Sequence, residues 1–162
     1  MGELRISTDR FHVDIDVVHD FLSRHAYWCP GIPRAVVERA VDNSLCFSAW
    51  RDDAQVGFAR VVTDKATFAY LADVFVLPEH RGRGHSKALV AAILAHPELQ
   101  GLRRLSLATS DAHGLYAALR ELDARGVNLL LAERPPEGEA WLAVHDRLRR
   151  SAAGAGLPDD AP

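Results

Sequence analysis

"VFVLPEHRGRGHSKALVAAILAH", residues 74–96, decides the reading of this chain. It opens as an apolar, β-branched run, which favours a strand. It then tightens into Arg81-Gly82-Arg83-Gly84. From there Leu89, Val90, Ile93 and Leu94 recur at helical spacing until Pro97 stops them. A helix opening at Gly84 presents N–H groups without intrahelical partners, and the positive end of its dipole. Arg81, Arg83 and Lys87 surround that end, so the turn suits a phosphate-bearing ligand. The alternative is a plain strand-to-helix turn with solvated arginines. Two commoner phosphate motifs are excluded. No Lys-Ser or Lys-Thr follows a glycine, as a Walker A loop requires, and Lys87 stands where GxGxxG needs its last glycine.

The rest of the chain fits one compact domain around this turn. Of 162 residues, 48% are hydrophobic and 25% charged, enough for a core. The net charge of −3 argues against a nucleic-acid binder, so the bases of the turn are a local feature. Cys29 and Cys46 have no CxxC or CxC spacing, which points to a reducing, cytoplasmic setting rather than a disulfide framework. No apolar run is long enough for a membrane span, and the first residues lack the apolar core of a signal peptide, so no membrane association is expected. The eight histidines show no HExxH or similar spacing, and no metal is expected.

Outward from the turn, periodicity gives a strand at 4–8 and a helix from Asp14 with Ile15, Val18, Phe21 and Leu22 on one face. Pro33 then begins a second helix with Val36, Val37, Ala40 and Val41 inward. Strands come next at 45–50, 55–62 and 67–77, the middle one read as alternating through Val56, Phe58 and Val62. After the quoted helix come a strand at 102–109, a helix ending at Gly126, a strand at 127–133 and a last amphipathic helix. Residues 1–150 form the domain, and 151–162 read as a disordered tail. The order predicts an α+β fold, close to an α/β three-layer arrangement: an antiparallel meander followed by helical crossovers.

The stretch "VFVLPEHRGRGHSKAL" resembles the acetyl-CoA-binding motif of the GNAT superfamily of N-acetyltransferases, [QR]-x-x-G-x-[GA], with Arg81 and Gly84 matching and Ser86 replacing the last small residue. "ATSDAHGLY", 108–116, resembles the family's later Leu-Tyr segment. The resemblance implies a mixed, mostly antiparallel sheet with a splayed central strand pair and flanking helices. It implies acetyl-CoA as co-substrate, with no acyl-enzyme. Backbone groups of Val74, Phe75 and Val76 would pair with the pantetheine arm, and N–H groups along Arg81, Gly82, Arg83, Gly84, His85, Ser86 and Lys87 would cradle the pyrophosphate. The acceptor would be an amine of a small molecule or peptide. A homodimer stays open.

Direct transfer needs a deprotonated amine, a stabilised thioester oxyanion and a proton for the leaving thiolate. Tyr116 holds the position of the family's tyrosine acid; the alternative is a core aromatic on a helix face. Asp73, a carboxylate in an apolar strand, is either a base for the amine or a buried partner for an arginine. Alternation sets it opposite Val74 and Val76. Tyr70 would share their face and position substrate. A backbone N–H near Val76 would serve the oxyanion. Tyr27 and Trp28 either wall the acceptor pocket or are surface aromatics. Cys46 reads as core, and His85 reads as a solvent-facing turn residue. The family's usual Gly-Phe after Leu-Tyr is missing, since Leu115-Tyr116 runs into "AALRELDARG". A silent acetyl-CoA sensor is therefore the alternative to an enzyme, and a phosphate-ligand binder without CoA specificity is a third reading.

Overall fold

The computed structural model describes residues 2–107 and 130–132. Among the described residues, six strands form one sheet in chain order: β1 (Leu4–Ser7), β2 (Leu45–Arg51), β3 (Ala54–Thr63), β4 (Phe68–Val76), β5 (Arg104–Leu107) and β6 (Leu130–Ala132). The first three pairings are antiparallel, and β4–β5 and β5–β6 are parallel. Helices α1 (Ile15–Arg24) and α2 (Arg34–Asp42) stand between β1 and β2, and α3 (His85–Ala95) crosses from β4 to β5. A parallel neighbour to β4 needs such a crossover, because a tight hairpin can only return antiparallel. This is the mixed, mostly antiparallel α+β fold expected. The helix expected to end at Gly126, the last amphipathic helix and the tail lie outside the described residues.

The helix starts obey local chemistry. The Asp14 carboxylate accepts from the N–H groups of Asp16 and Val17, capping α1. Pro33, at φ −65°, is already set in the geometry that leads into α2. Between β3 and β4, Asp64 accepts from the N–H groups of Ala66, Thr67 and Phe68 and from the Thr67 hydroxyl. Those bonds, the Thr67 hydroxyl first, hold its carboxyl well below the usual carboxylate range.

Two cores lie on the two faces of the sheet. On one side Phe47, Ala49, Val61, Ala69, Leu71 and Val76 pack with Leu89 and Ile93 of α3. On the other, Phe58, Phe75 and Cys46 pack with Val18, Phe21 and Leu22 of α1 and Val37 and Val41 of α2. Phe21 stacks on Phe75 with ring centroids 3.9 Å apart. That stacked pair fastens α1 to β4, and truncating such a buried Phe typically costs about 3–5 kcal/mol.

Strict alternation fails twice, at two bulges. On β3 the register slips between Ala49 and Trp50, leaving Val56 as the extra residue. Val56 therefore belongs to the α3-side core while Phe58 belongs to the other, so the expected Val56–Phe58–Val62 stripe does not exist. On β4 the slip falls between the partners of Phe58 and Arg60, which are Phe75 and Ala72. Asp73 sits in that bulge at φ +51°, a left-handed conformation that Asp tolerates better than most residues. A bulge reverses the parity of the residues beyond it. Ala69 and Leu71 before it share the α3-side core with Val76 after it. Tyr70 alternates with Ala69 and Leu71 and so lies on the α1–α2 face. It does not share the face of Val74 and Val76, as unbroken alternation implied.

Candidate active site

The site begins at the C-terminal end of β4. A short 3-10 turn over Pro78–His80 comes first, and then the glycine turn. Gly82 at φ +73° and Gly84 at φ +82° are both left-handed. An added Cβ at either would meet no protein atom within 4 Å, so what requires glycine there is backbone conformation beside open space. Gly84 caps α3 without a side-chain hydrogen bond, and Ala88 N–H donates to its carbonyl at 3.0 Å. The N–H groups of His85, Ser86 and Lys87 precede that first helical bond and fall outside the ladder. Arg83 and Lys87 are exposed around them. Arg81 is partly committed elsewhere: its Nε donates to the Val76 carbonyl at 3.0 Å, tying the end of β4 to the turn.

His85 departs from expectation. It is 8% exposed, on the face of α3 that carries Leu89 and Ile93, and not a solvent-facing residue. The reason is helical geometry: positions 85, 89 and 93 fall on one inward stripe. Its ring is 6.5 Å from that of His80. Burial, then the positive charge of Arg51, push its pKa below the ordinary histidine value. What His85 offers the turn is its backbone N–H.

Asp73 anchors a second cluster, on the α1–α2 face. Arg60 of β3 donates from Nε to Asp73 Oδ2, and the indole N–H of Trp28 donates to Asp73 Oδ1 at 3.1 Å. Arg60 also donates from Nη1 to the Ser44 hydroxyl at 3.2 Å, which in turn donates to the Ala40 carbonyl of α2 at 2.7 Å. The Arg60 and Asp73 side chains are only 20% and 13% exposed, so neither charge would be left alone cheaply. The arginine-partner alternative for Asp73 is the arrangement the structure has. Arg60 is not among the expected site residues. Its signal in the sequence is a lone charge inside the apolar strand "VGFARVV".

The loop between α1 and α2 carries Tyr27 and Trp28. Both are exposed, and they meet edge to face with ring centroids 5.0 Å apart. Behind them the half-buried Cys29 donates from its thiol to the Leu22 carbonyl at 3.5 Å. Burial, helped by the Asp73 charge and opposed by Arg60, pushes that thiol up. Burial pushes Cys46 up to about 11. Neither thiol carries the thiolate character of a nucleophile. Val74 shares the bulge with Asp73, and Phe75 and Val76 after it pair with Phe58 and Gly57 of β3. On the other side of β4, the described pairing with β5 runs from Phe68 to Leu71. Tyr116 lies outside the described residues.

A glycine turn with unpaired helix-start N–H groups and a loop-borne aromatic pair thus flank the same end of β4, separated by the bulge. Against known proteins, residues 14–120 match the family model "Acetyltransferase (GNAT) family". A Gibberella zeae protein whose name places it among acetyltransferases, FG08082, is 31% identical over 83% of this chain and 91% of its own. The crystal structure of a GNAT-family protein of Xanthomonas campestris (xcc2953) is 55% identical, with a TM-score of 0.71, over 86% of this chain and 98% of that one. The aminoglycoside N-acetyltransferase AAC(6')-Iy, solved in complex with CoA, shares the fold at 21% identity and a TM-score of 0.56, over 86% of this chain and 95% of that one.

Proposed function

The chain belongs to the GNAT acetyltransferase family and is an acyltransferase, and on that premise we propose that it moves the acetyl group of acetyl-CoA directly to an amine of a small molecule or protein. The observation that carries the reading is the turn at Gly84. Three backbone N–H groups stand outside the helical ladder, the space beside two left-handed glycines is open, and Arg83 and Lys87 lie around it. Those residues fit a pyrophosphate, because N–H groups fixed at a helix start bind phosphate oxygens without further reorganisation.

Acetyl-CoA supplies an activated acetyl thioester. The residues of this chain hold and orient it. His85, Ser86 and Lys87 offer N–H groups to the pyrophosphate, and Arg83 and Lys87 add charge. Val74, Phe75 and Val76 present strand backbone to the pantetheine arm, with an N–H near Val76 for the developing oxyanion. Tyr27 and Trp28 wall the acceptor side, with Tyr70 on the same sheet face as Asp73. Tyr116 protonates the leaving thiolate.

The test is steady-state thiol release with a panel of amines, paired with acetyl-CoA binding by calorimetry. Turnover with at least one amine is expected. With that amine, Tyr116→Phe lowers kcat toward the roughly 10²–10⁴-fold that general acid catalysis supplies, while acetyl-CoA affinity is retained. A folded protein that binds acetyl-CoA and acetylates nothing is a sensor. One that binds ATP as tightly as acetyl-CoA is a phosphate binder without CoA specificity.

A further inference from the structure

Asp73 combines three features that the transfer reaction leaves unexplained. It is a non-glycine residue held at φ +51° in the middle of a strand. Its side chain is largely buried, and each carboxylate oxygen accepts from a different donor. Those donors come from distant parts of the chain: Arg60 from β3, itself braced through Ser44 on the end of α2, and Trp28 from the loop between α1 and α2. Protonation by an incoming amine would weaken both of these bonds, because a neutral carboxyl accepts less strongly than a carboxylate.

The loop itself leans on α1. Gly31 N–H donates to the Ser23 carbonyl at 2.9 Å, and a ring nitrogen of His19 lies 3.2 Å from the Ile32 carbonyl. The Trp28 indole reaches the other way, to the bulge that Asp73 shares with Val74. Holding the indole nitrogen restrains the ring of Trp28, a residue that remains 43% exposed. Any acceptor resting on that ring is therefore referenced to the strand that would hold the acyl carrier.

We propose that Asp73 is a positioning residue: its carboxylate, braced by Arg60, latches the α1–α2 loop through Trp28 to the bulge of β4 and so sets the acceptor against the backbone of Val74–Val76. The kinetic part of this inference rests on the acetyl-transfer reading. The geometric part does not, and the two are tested separately.

The first measurement needs no turnover. In full-length protein labelled with 15N-tryptophan, the Trp28 indole signal is assigned by its loss in Trp28→Phe. Its hydrogen exchange is slow in the wild type, at least about tenfold faster in Asp73→Ala, and intermediate in Asp73→Asn, which keeps one of the two acceptor oxygens. The amide oxygen of asparagine can still accept, and asparagine tolerates a left-handed φ. Equal exchange in wild type and Asp73→Ala overturns the latch.

The second measurement uses one accepted amine. Trp28→Phe and Asp73→Ala raise the acceptor KM about tenfold, the scale of one charge-assisted hydrogen bond. Both leave acetyl-CoA affinity unchanged, and the acidic limb of the kcat/KM profile in Asp73→Asn matches the wild type. A kcat loss of about a hundredfold in Asp73→Asn, with the acidic limb gone and acceptor KM intact, makes Asp73 the base and overturns the proposal. If the wild type acetylates nothing, the transfer reading fails, and the indole exchange still decides the latch.

Discussion

The turn at 81–87 and the cluster around Asp73 lie at two ends of one short stretch of chain, yet they are built in opposite ways. The turn is made of backbone. Its N–H groups, its left-handed glycines and its bases are neighbours in sequence. The Asp73 cluster is made of side chains from positions 28, 44, 60 and 73, brought together by the sheet and the α1–α2 loop. A site for a constant ligand group such as pyrophosphate can be written locally, because every peptide carries the donor it needs. A site for a variable acceptor needs side chains, and those are recruited from wherever the fold delivers them.

The sharpest way to break this contrast is Gly84→Glu. It places a carboxylate among the phosphate donors and a Cβ on a left-handed residue, so acetyl-CoA affinity falls by about a hundredfold or more, the sum of two charge-assisted contacts. The thermal midpoint, read by circular dichroism, changes little beyond the local strain. Gly84→Asn separates the causes, since asparagine accepts the φ and adds no charge; affinity much nearer the wild type is expected. Unchanged affinity in folded Gly84→Glu would remove the cradle from the turn.

The converse variant is Arg60→Ala. It leaves Asp73 largely buried without its cation, at a cost of about 2–3 kcal/mol, somewhat below that of a fully buried pair. Chemical denaturation measures this loss. Acetyl-CoA binding at the turn is retained, because no group of the cradle depends on Arg60. A parallel loss of both would mean the two regions are one unit.

A smaller effect is expected of Arg83→Ala, at about tenfold in CoA affinity. The loss is greater for CoA than for analogues without the terminal phosphates, compared by calorimetry. Equal losses would show that Arg83 faces elsewhere.

The smallest effect tests the interior side of the turn. The pKa of buried His85 is depressed below the ordinary histidine value. The unfolded chain therefore takes up this proton first. Stability from the neutral ring is complete above the ordinary histidine pKa of about 6.5 and is lost as pH falls through the lowered one. His85→Leu removes that dependence, so its thermal midpoint declines less than the wild type's between pH 7 and 5. Identical pH slopes would mean that His85 does not titrate across folding.

Much of this fold is legible from the residues. Asp14 and Pro33 start α1 and α2, Pro97 stands just past the end of α3, and Val18, Phe21, Leu22, Leu89 and Ile93 are buried as their spacing implies. What escapes is anything that depends on register. Unbroken alternation gives Val56 and Tyr70 faces they do not take, because one extra residue in each strand moves them. Nothing in "AQVGF" or "YLADVF" announces a bulge, because it arises from how neighbouring strands pair. His85 reads as part of a surface turn, and the helix it begins carries it inward.

The sequence by itself determined the order of strands and helices over the described residues and the glycine-bearing turn that opens α3. Both come from short-range physics: side-chain periodicity, capping, and the freedom of glycine to be left-handed. Only the tertiary structure decided which partners Asp73 binds, which face Tyr70 takes and that Trp28 reaches the sheet. Those outcomes depend on groups up to 45 residues apart sharing one buried carboxylate. Such partners are chosen by the cost of leaving a charge or an indole N–H unsatisfied where water is scarce, a condition that exists only once the sheet and its helices have closed around them.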